Sequence, residues 1–220
     1  MKNKVKVVGL TGGIGTGKST AAEYLKKKGF AHIDADQIGR DITADGSPML
    51  PVLNSIFGPS GKYGKEGHDI LREDGTLDRK ALAAIVFTDM DRKLKLDEVM
   101  FKAIIAEVDK QIDVLAEDEP LGIMIDAPLL FEAGLETRCD LVMLIIADMD
   151  VRIHRVCQRD DATVEEVRNR INSQMSDEER KNRSDVIIDN SGTRDELENK
   201  LESFLLKYSE NSCNRFSAVL

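Results

Sequence analysis

The sequence has few cysteines, no long apolar run and no excess of positive charge. Its three cysteines form no Cys-x-x-Cys pair, which argues against a zinc site or a disulfide scaffold and favours a reducing compartment. The longest apolar run, Leu141–Ala147, is far shorter than the roughly 20 residues that span a bilayer. The apolar stretch near the N-terminus is too short for a signal peptide. We therefore predict a cytoplasmic protein that does not engage membranes.

Charge and length narrow the class of protein further. The chain has 31 Lys and Arg residues against 40 Asp and Glu residues, a formal net charge of −9. Because phosphate backbones select basic surfaces, this balance disfavours a general nucleic-acid binder, and any phosphate recognition must be local. The 220 residues, of which 41% are hydrophobic, suffice for one compact α/β domain with inserted subdomains.

Apolar segments alternate with amphipathic ones along the chain. The pattern predicts five strands, at Val5–Leu10, Phe30–Ile33, Gly122–Ile125, Leu141–Ile146 and Val186–Ile188. It predicts helices at Ser19–Lys28, after the N-cap Asp78, at Leu94–Leu115 and around Leu197–Tyr208. Strands that alternate with helices favour a three-layer, doubly wound parallel sheet of five strands. We predict a single domain over 1–220, with a core at 1–37, 120–147 and 184–210, a helical substrate insert at about 38–119 and a charged helical lid at about 148–183.

The strongest motif lies between the first predicted strand and the first predicted helix. Gly12–Ser19 reads GGIGTGKS and matches the phosphate loop (P-loop) pattern G-x-x-x-x-G-K-[ST]. Its glycines allow main-chain amides to surround phosphate groups, and the helix N-terminus adds a positive end. Lys18 is predicted to reach the terminal phosphates of ATP and the Ser19 hydroxyl to ligate Mg²⁺. The alternative is a glycine-rich turn with an incidental Lys-Ser pair.

A second motif, DADQIGR, follows the second predicted strand. It places two carboxylates, Asp34 and Asp36, at a strand end, where ligands of parallel sheets gather. We predict Asp34 near Mg²⁺ and Asp36 at the acceptor hydroxyl, whose proton it accepts. Arg40, one turn further along, is predicted to hold a substrate phosphate. The alternatives are helix N-capping by the two aspartates and a solvated helix face for Arg40.

The third motif, IDAPLLFEAGL, places Asp126 at the end of a buried strand. A carboxylate at that place typically holds the water shell of the metal ion, and a plain strand–turn with a capping aspartate is the alternative. The apolar residues after Pro128, including Leu129 and Leu130, are predicted to wall the substrate pocket.

A fourth motif, RIHRVCQRDD, begins the charged predicted lid. Arg155 and Arg159 are four residues apart and share one helix face. An arginine that a closing lid brings to the site stabilises the charge that spreads over a transferred phosphoryl group. The alternative is surface charge paired with the many nearby acidic residues.

The motifs together resemble one enzyme family. GLTGGIGTGKST, DADQIGR, DGTLDRKAL followed by IVF, DAPLLFEAGL, QRDD and IIDNSG occur in the order found in dephospho-CoA kinases, and the resemblance runs from about Val5 to Leu205. It implies transfer of phosphate from ATP to the ribose 3′-hydroxyl of dephospho-CoA, the last step of coenzyme A synthesis. It also implies a fold like that of nucleoside monophosphate kinases, with a CoA-binding insert and a lid.

The resemblance also implies roles for single residues. Asp36 is the implied catalytic base, acting with Lys18 and Arg155. The expected ATP-binding set is Gly13, Gly15, Thr16, Gly17, Lys18, Ser19, Thr20, Arg159 and Asn190, the last near the adenine. The expected substrate-binding set is Thr11, Asp36, Arg40, Leu129 and Leu130, and the expected Mg²⁺ set is Ser19, Asp34 and Asp126. The expected partner is a small molecule, dephospho-CoA, and the expected state is a monomer.

The chain departs from the family pattern at one place. Phe101 and Lys102 stand where the long middle helix of these kinases usually carries a His-Pro pair on the acceptor side. Two other functions remain open on the residues alone. One is a small-molecule kinase for a nucleoside or a hydroxy acid, against which the long helical insert argues. The other is a non-catalytic ATP-binding regulator, which has little use for a base and a lid arginine.

Overall fold

The computed structural model describes residues 5–65, 68–210 and 218–219. Cys213 lies outside these residues. Within them, no helix has both the length and the apolar character needed to cross a bilayer. The chain divides into two compact units, one formed by residues 1–34 and 111–220 and the other by residues 35–110.

The five predicted strands are present and lie within two residues of their predicted bounds. They are β1 (Val7–Thr11), β2 (Phe30–Asp34), β3 (Gly122–Asp126), β4 (Leu141–Ile146) and β5 (Val186–Asp189). The sheet order is β2-β3-β1-β4-β5, and each neighbouring pair is parallel. A two-residue strand that was not predicted, β6 (Ala218–Val219), pairs in parallel with β5. The predicted doubly wound sheet of five parallel strands is confirmed.

Together with a short 3₁₀ helix at Leu135–Arg138, nine α-helices lie in the described part of the chain. They are α1 (Lys18–Lys27), α2 (Ala35–Ile42), α3 (Met49–Phe57), α4 (Arg79–Val86), α5 (Met90–Ala116), α6 (Met149–Asp160), α7 (Val164–Asn172), α8 (Asp177–Asn182) and α9 (Arg194–Glu210). The predicted N-cap Asp78 is confirmed, since its carboxylate accepts hydrogen bonds from the amides of Lys80 and Ala81. The long helix α5 begins earlier than its apolar stripe indicates because the Asp89 carboxylate accepts the amide of Asp91.

The charged segment at 148–183, which was predicted as a helical lid, forms three helices. The helix α6 ends where Asp161 adopts a left-handed φ of 52°. Thr163 then begins α7 with a reciprocal capping box, in which Glu166 bonds back to the Thr163 amide. Ser176 caps α8 through the amide of Glu179. Polar caps therefore divide a segment that its charge pattern alone leaves undivided.

The core of the first unit lies on the central strands. All residues of β1 and β3 are buried, as expected for parallel strands that are covered on both faces. On one side the helices α1 and α9 bury Leu25, Leu201 and Phe204 against the sheet. This packing fixes the carboxyl ends of β1 and β3, from which the chain enters the loops that carry the predicted site.

The second unit covers most of the segment predicted as the substrate insert. Its core joins α3, α4 and the segment between them through a cluster of buried side chains: Leu50, Leu53, Phe57, Ile70, Leu77, Leu82, Ile85 and Val86. Leu96, Val99 and Met100 of α5 are partly buried and pack against this cluster. The unit therefore has a hydrophobic core of its own.

Candidate active site

The loop between β1 and α1 has a backbone that only glycine adopts without strain. Gly15 and Gly17 have φ values of +79° and +87°, in the left-handed region. A Cβ atom at Gly17 would lie 2.1 Å from the Asn190 side-chain nitrogen. The helix α1 begins directly after Gly17, and its first turn contains no acidic residue. The loop thus presents a helix N-terminus suited to an anion.

Two predicted ATP-binding residues hold the loop itself. The Thr16 hydroxyl is fully buried and donates to the Gly13 carbonyl over 2.9 Å. The Asn190 side-chain nitrogen donates to the Thr16 carbonyl over 2.8 Å, and only 5% of Asn190 is exposed. Asn190 follows β5, where the Asp189 carboxylate accepts from the amide and hydroxyl of Ser191. Asn190, at the end of β5, therefore stabilises the phosphate loop through its hydrogen bond to Thr16.

Lys18 and Asp126 form an ion pair at the centre of this site. The Lys18 ammonium contacts Asp126 Oδ1, and His32 Nε2 lies 3.4 Å from Asp126 Oδ2. Burial raises the pKa of Asp126, but the hydrogen bond with His32 and the charge of Lys18 lower it by more, so the net pKa is below the usual value. Asp126 is therefore held as a carboxylate beside the loop lysine.

His32 is a site residue that the sequence reasoning missed. It lies on β2 two residues before Asp34, so both side chains project from the same face of the strand. Asp34 is in turn the register partner of Asp126 on β3. Strand periodicity indicates the face that His32 shares with Asp34, but it does not indicate that β3 is the neighbouring strand.

The oxygen donors near the loop are of the kind that Mg²⁺ binds. Asp34 and Asp126 end adjacent strands, and Ser19 lies in the first turn of α1. Among the described residues, no three His, Cys, Asp or Glu side chains group to form a complete metal site. Mg²⁺ usually takes only one or two carboxylates and fills its other positions with water and substrate phosphates. The residues present therefore fit this ion in donor type and number.

The two predicted lid arginines have different surroundings. Arg155 lies near the loop: its Nη1 atom is 3.8 Å from the position of a Cβ at Gly17, and its Nη2 atom donates to the Gly192 carbonyl over 3.4 Å. The buried Nη1 atom has no hydrogen-bond partner among the described residues. Arg159 instead pairs with its neighbour Asp160 at 2.7 and 3.1 Å, which is the surface pairing that the sequence left open as an alternative.

The predicted substrate-binding residues after β1 and β3 differ in exposure. Thr11 is fully buried at the end of β1, with its hydroxyl 3.4 Å from the Pro128 carbonyl. Leu130 is also fully buried and packs against Gly9, whereas 44% of Leu129 is exposed. Of this apolar pair, only Leu129 offers surface to a ligand in this structure.

The second unit carries Asp36 and Arg40 on α2 and contains a cavity of its own. Asp36 is exposed in the first turn of α2, and Arg40 donates to the Gln37 side-chain oxygen from Nε and Nη2 at 3.0 and 2.8 Å. The cavity has a volume of about 380 Å³ and is lined by Asp36, Gly39, Arg40, Thr43, Leu53, Leu77, Arg79, Leu82, Ala83, Val86, Phe87, Leu96 and Met100. Two guanidinium groups and an apolar wall thus share one pocket.

Arg79 in this cavity is a further residue that the sequence reasoning did not single out. It lies directly after the N-cap of α4, within DGTLDRKAL, and its Nη2 atom donates to the Thr43 hydroxyl over 2.9 Å. From α5 the cavity receives Leu96 and Met100. Phe101 and Lys102, which replace the family's His-Pro pair, are not lining residues.

The sequence as a whole matches one family. A sequence model described as dephospho-CoA kinase matches residues 6–196. The chain belongs to the dephospho-CoA kinase family. As a member of this family it is a kinase, an ATP-using enzyme that acts on a small-molecule substrate. The family match disfavours the nucleoside or hydroxy-acid kinase and the ATP-binding regulator.

Individual dephospho-CoA kinases cover almost the whole chain. One from Corynebacterium glutamicum is 39% identical over 191 residues, which cover 86% of this chain and 90% of that enzyme. One from Shouchella clausii is 35% identical and covers 91% of this chain and 97% of its own length. The dephospho-CoA kinase of Campylobacter jejuni, whose structure is known, is 25% identical with a TM-score of 0.60 and covers 93% of this chain and 98% of its own.

Two further solved structures are similar to this chain in fold. A Thermus thermophilus protein is 29% identical, with a TM-score of 0.74 over 93% of this chain and 98% of its own. A shikimate kinase from Bacteroides thetaiotaomicron is 14% identical with a TM-score of 0.51, and that likeness concerns the fold alone.

Proposed function

We propose that the protein transfers the γ-phosphoryl group of ATP to the ribose 3′-hydroxyl of dephospho-CoA, giving ADP and coenzyme A. The observation that carries this proposal is the family match over residues 6–196 of a chain whose glycine loop lies beside the Lys18–Asp126 ion pair. The acidic net charge and the cysteine pattern support a cytoplasmic enzyme with no nucleic-acid or membrane partner. We propose a monomer, which sedimentation of the purified chain tests.

The triphosphate binds in the loop at the start of α1. Amides of Gly13, Gly15 and Gly17 face the phosphates together with those of the first turn of α1, and Lys18 supplies the mobile positive charge. In this structure the Lys18 ammonium is paired with Asp126. This pair keeps the lysine beside the loop. When the triphosphate binds, the Lys18 side chain needs only to turn from the carboxylate to a phosphate oxygen.

The divalent cation would be held by Ser19, Asp34 and Asp126. When bound, Mg²⁺ neutralises charge on the β- and γ-phosphate oxygens. The carboxylate state of Asp126, which His32 and Lys18 favour, is the state that a cation needs.

Asp36 acts on the proton of the acceptor hydroxyl, and Arg155 acts on the charge of the transferred phosphoryl group. The Asp36 carboxylate accepts the proton of the 3′-hydroxyl as the hydroxyl oxygen attacks phosphorus. The Arg155 guanidinium donates to the equatorial oxygens of the transferred group, whose charge grows in the transition state. Its buried Nη1 atom, without a hydrogen-bond partner among the described residues, supports this role.

The cavity of the second unit fits the amphipathic acceptor. Dephospho-CoA combines a pyrophosphate with a long, weakly polar pantetheine arm. Arg40 and Arg79 are cations suited to the pyrophosphate, and the leucine, valine, phenylalanine and methionine side chains of the cavity are suited to the arm. The volume of about 380 Å³ is in the range of small-molecule sites.

A panel of acceptors tests the proposed function. We expect ATP with dephospho-CoA to release ADP and to form coenzyme A in equal amounts, measured by a coupled ADP assay and by mass spectrometry of the product. Shikimate, gluconate and nucleosides should give no more ADP than the protein alone. Turnover with a nucleoside but not with dephospho-CoA would refute the proposal. ATP binding without turnover on any acceptor would favour a regulator.

Replacement of Arg79 by methionine tests the cavity. We expect Arg79→Met to raise the KM for dephospho-CoA about tenfold and to leave the KM for ATP unchanged, because a charge-assisted contact to the acceptor is lost. Steady-state kinetics with each substrate varied in turn measure both constants. The exposed neighbour Lys80, changed to methionine, is the matched control. An unchanged KM for dephospho-CoA in Arg79→Met contradicts the assignment.

A further inference from the structure

The tip of the phosphate loop is held by two side chains that no proposed catalytic step uses. The Ile14 amide donates to the Gln174 side-chain oxygen over 3.0 Å, and the Ile14 carbonyl accepts from Arg152 Nε over 2.8 Å. Arg152 belongs to α6, and Gln174 lies between α7 and α8. Both polar groups of one loop residue are thus bonded to side chains from the segment predicted as a lid. We call these two side chains the Ile14 clamp.

Of the two clamp side chains, Arg152 is buried and Gln174 is half-buried. Only 1% of Arg152 is exposed, and its Nη1 atom pairs with Asp177 Oδ2 at 2.8 Å. Asp177 is the first residue of α8 and also lies 3.6 Å from the buried Arg180 guanidinium. Burying an arginine is costly unless its donors are satisfied. Here one loop carbonyl accepts from Nε of Arg152 and one carboxylate accepts from its Nη1, so two ends of the guanidinium are fixed in position.

The loop and the clamp are closely packed. A Cβ atom at Gly13 would lie 2.5 Å from Arg152 Nη2 and 3.3 Å from the Gln174 side-chain oxygen, and one at Gly15 would lie 2.8 Å from the Arg152 carbonyl. The Ile14 side chain packs against a cluster of Ile153, Val156, Val167 and Ile171 from α6 and α7. The backbone of the loop and the side chain at its tip therefore share the same support.

We propose that Arg152 and Gln174 are positioning residues that preset the phosphate loop for ATP by fixing the peptide groups of Ile14. This inference rests on the proposed binding of ATP in that loop. A loop rich in glycine has many backbone conformations, and only some of them direct its amides inwards. If the competent conformation is only partly populated, the apparent dissociation constant rises by the inverse of that fraction. The clamp removes this loss, because the bonds to the Ile14 amide and carbonyl exclude rotations of both neighbouring peptides.

Variants that keep size and remove a hydrogen bond test the clamp. Gln174→Met should raise the dissociation constant of ATP about three- to tenfold, the value of one hydrogen bond. Arg152→Met should raise it by about tenfold or more, and Arg152→Lys by less, because lysine keeps the charge but cannot bond Ile14 and Asp177 at once. Calorimetric titration with ATP in the absence of acceptor measures these constants. The exposed residues Gln158 and Arg168, each changed to methionine, are the matched controls.

Kinetics separate positioning from general stability. We expect the KM for ATP to rise in both clamp variants while the KM for dephospho-CoA stays within twofold. The effects of Arg152→Met and Gln174→Met should combine to less than their product, since both act on one residue. A lower melting temperature with unchanged ATP affinity overturns the proposal and leaves the two residues a structural role only. If Arg152→Met does not fold, Gln174→Met and Arg152→Lys decide by the same titration.

The same titration separates this inference from the proposed function. A wild-type protein that binds ATP but makes no coenzyme A contradicts the acceptor assignment alone, and the clamp variants still show whether Ile14 controls ATP binding. A wild-type protein that binds no ATP contradicts the proposed function and the clamp together.

Discussion

Replacing Lys18 with methionine is expected to lower kcat/KM for ATP by about 10³-fold or more, because the transferred phosphoryl group loses the positive charge nearest to it. In this structure the lysine lies between the loop and Asp126, so its removal also leaves a carboxylate that is only 8% exposed without its cation. The single variant thus changes both the chemistry and the local electrostatics. Initial rates over a range of ATP concentrations give kcat and KM separately, and thermal unfolding shows the effect on stability.

A second variant separates these two effects. In Lys18→Met combined with Asp126→Asn, no buried charge is left unpaired, so stability should return towards that of the wild type while turnover stays low. Lys27, which is exposed on the last turn of α1, serves as the control when changed to methionine. Full turnover in Lys18→Met shows that the loop lysine does not act on the phosphates, and we would then abandon the proposed ATP site.

The sheet was predictable because its five main strands are short and mostly apolar, and four of them end in a polar residue. The strands β1, β3 and β4 are buried on both faces, so nearly every residue in them is apolar and the signal is strong. Helix starts were harder to predict. The early start of α5 depends on the Asp89 side chain, and the start of α7 depends on the bonds between Thr163 and Glu166. A cap is a single side chain, and it is easily missed beside a long apolar stripe.

The residues of the candidate site also differ in how far the sequence could predict them. The phosphate loop is a contiguous motif, so its glycines and Lys18 could be read directly from the sequence. His32 and Arg152 could not, because their partners, Asp126 and Ile14, are 94 and 138 residues away in the chain. Pairs of this kind depend on which strands and helices become neighbours. In RIHRVCQRDD the spacing drew attention to two other arginines, although Arg152, the first letter of the motif, is the one that is buried against the loop.

The sequence left two functions open for Asp36: a catalytic base and the N-cap of the following helix. The helix α2 begins at Ala35, so Asp36 lies inside its first turn and not at the N-cap, although an exposed carboxylate there is still favoured by the helix N-terminus. Asparagine keeps the shape of the side chain and accepts hydrogen bonds, but it is far too weak a base to take the proton of the hydroxyl. Its effect on rate therefore distinguishes the two functions better than its effect on stability does.

We expect Asp36→Asn to lower the rate of phosphoryl transfer by about 10²- to 10⁴-fold, the usual contribution of a general base, and to leave the dissociation constant of ATP almost unchanged. Quenched-flow measurement of a single turnover, with enzyme in excess over dephospho-CoA, isolates this step from product release. Asp41 lies on the same helix five residues on, and Asp41→Asn supplies the control for loss of one acidic charge. If the single-turnover rate of Asp36→Asn equals that of Asp41→Asn, Asp36 is only a favourable charge in the first turn of α2.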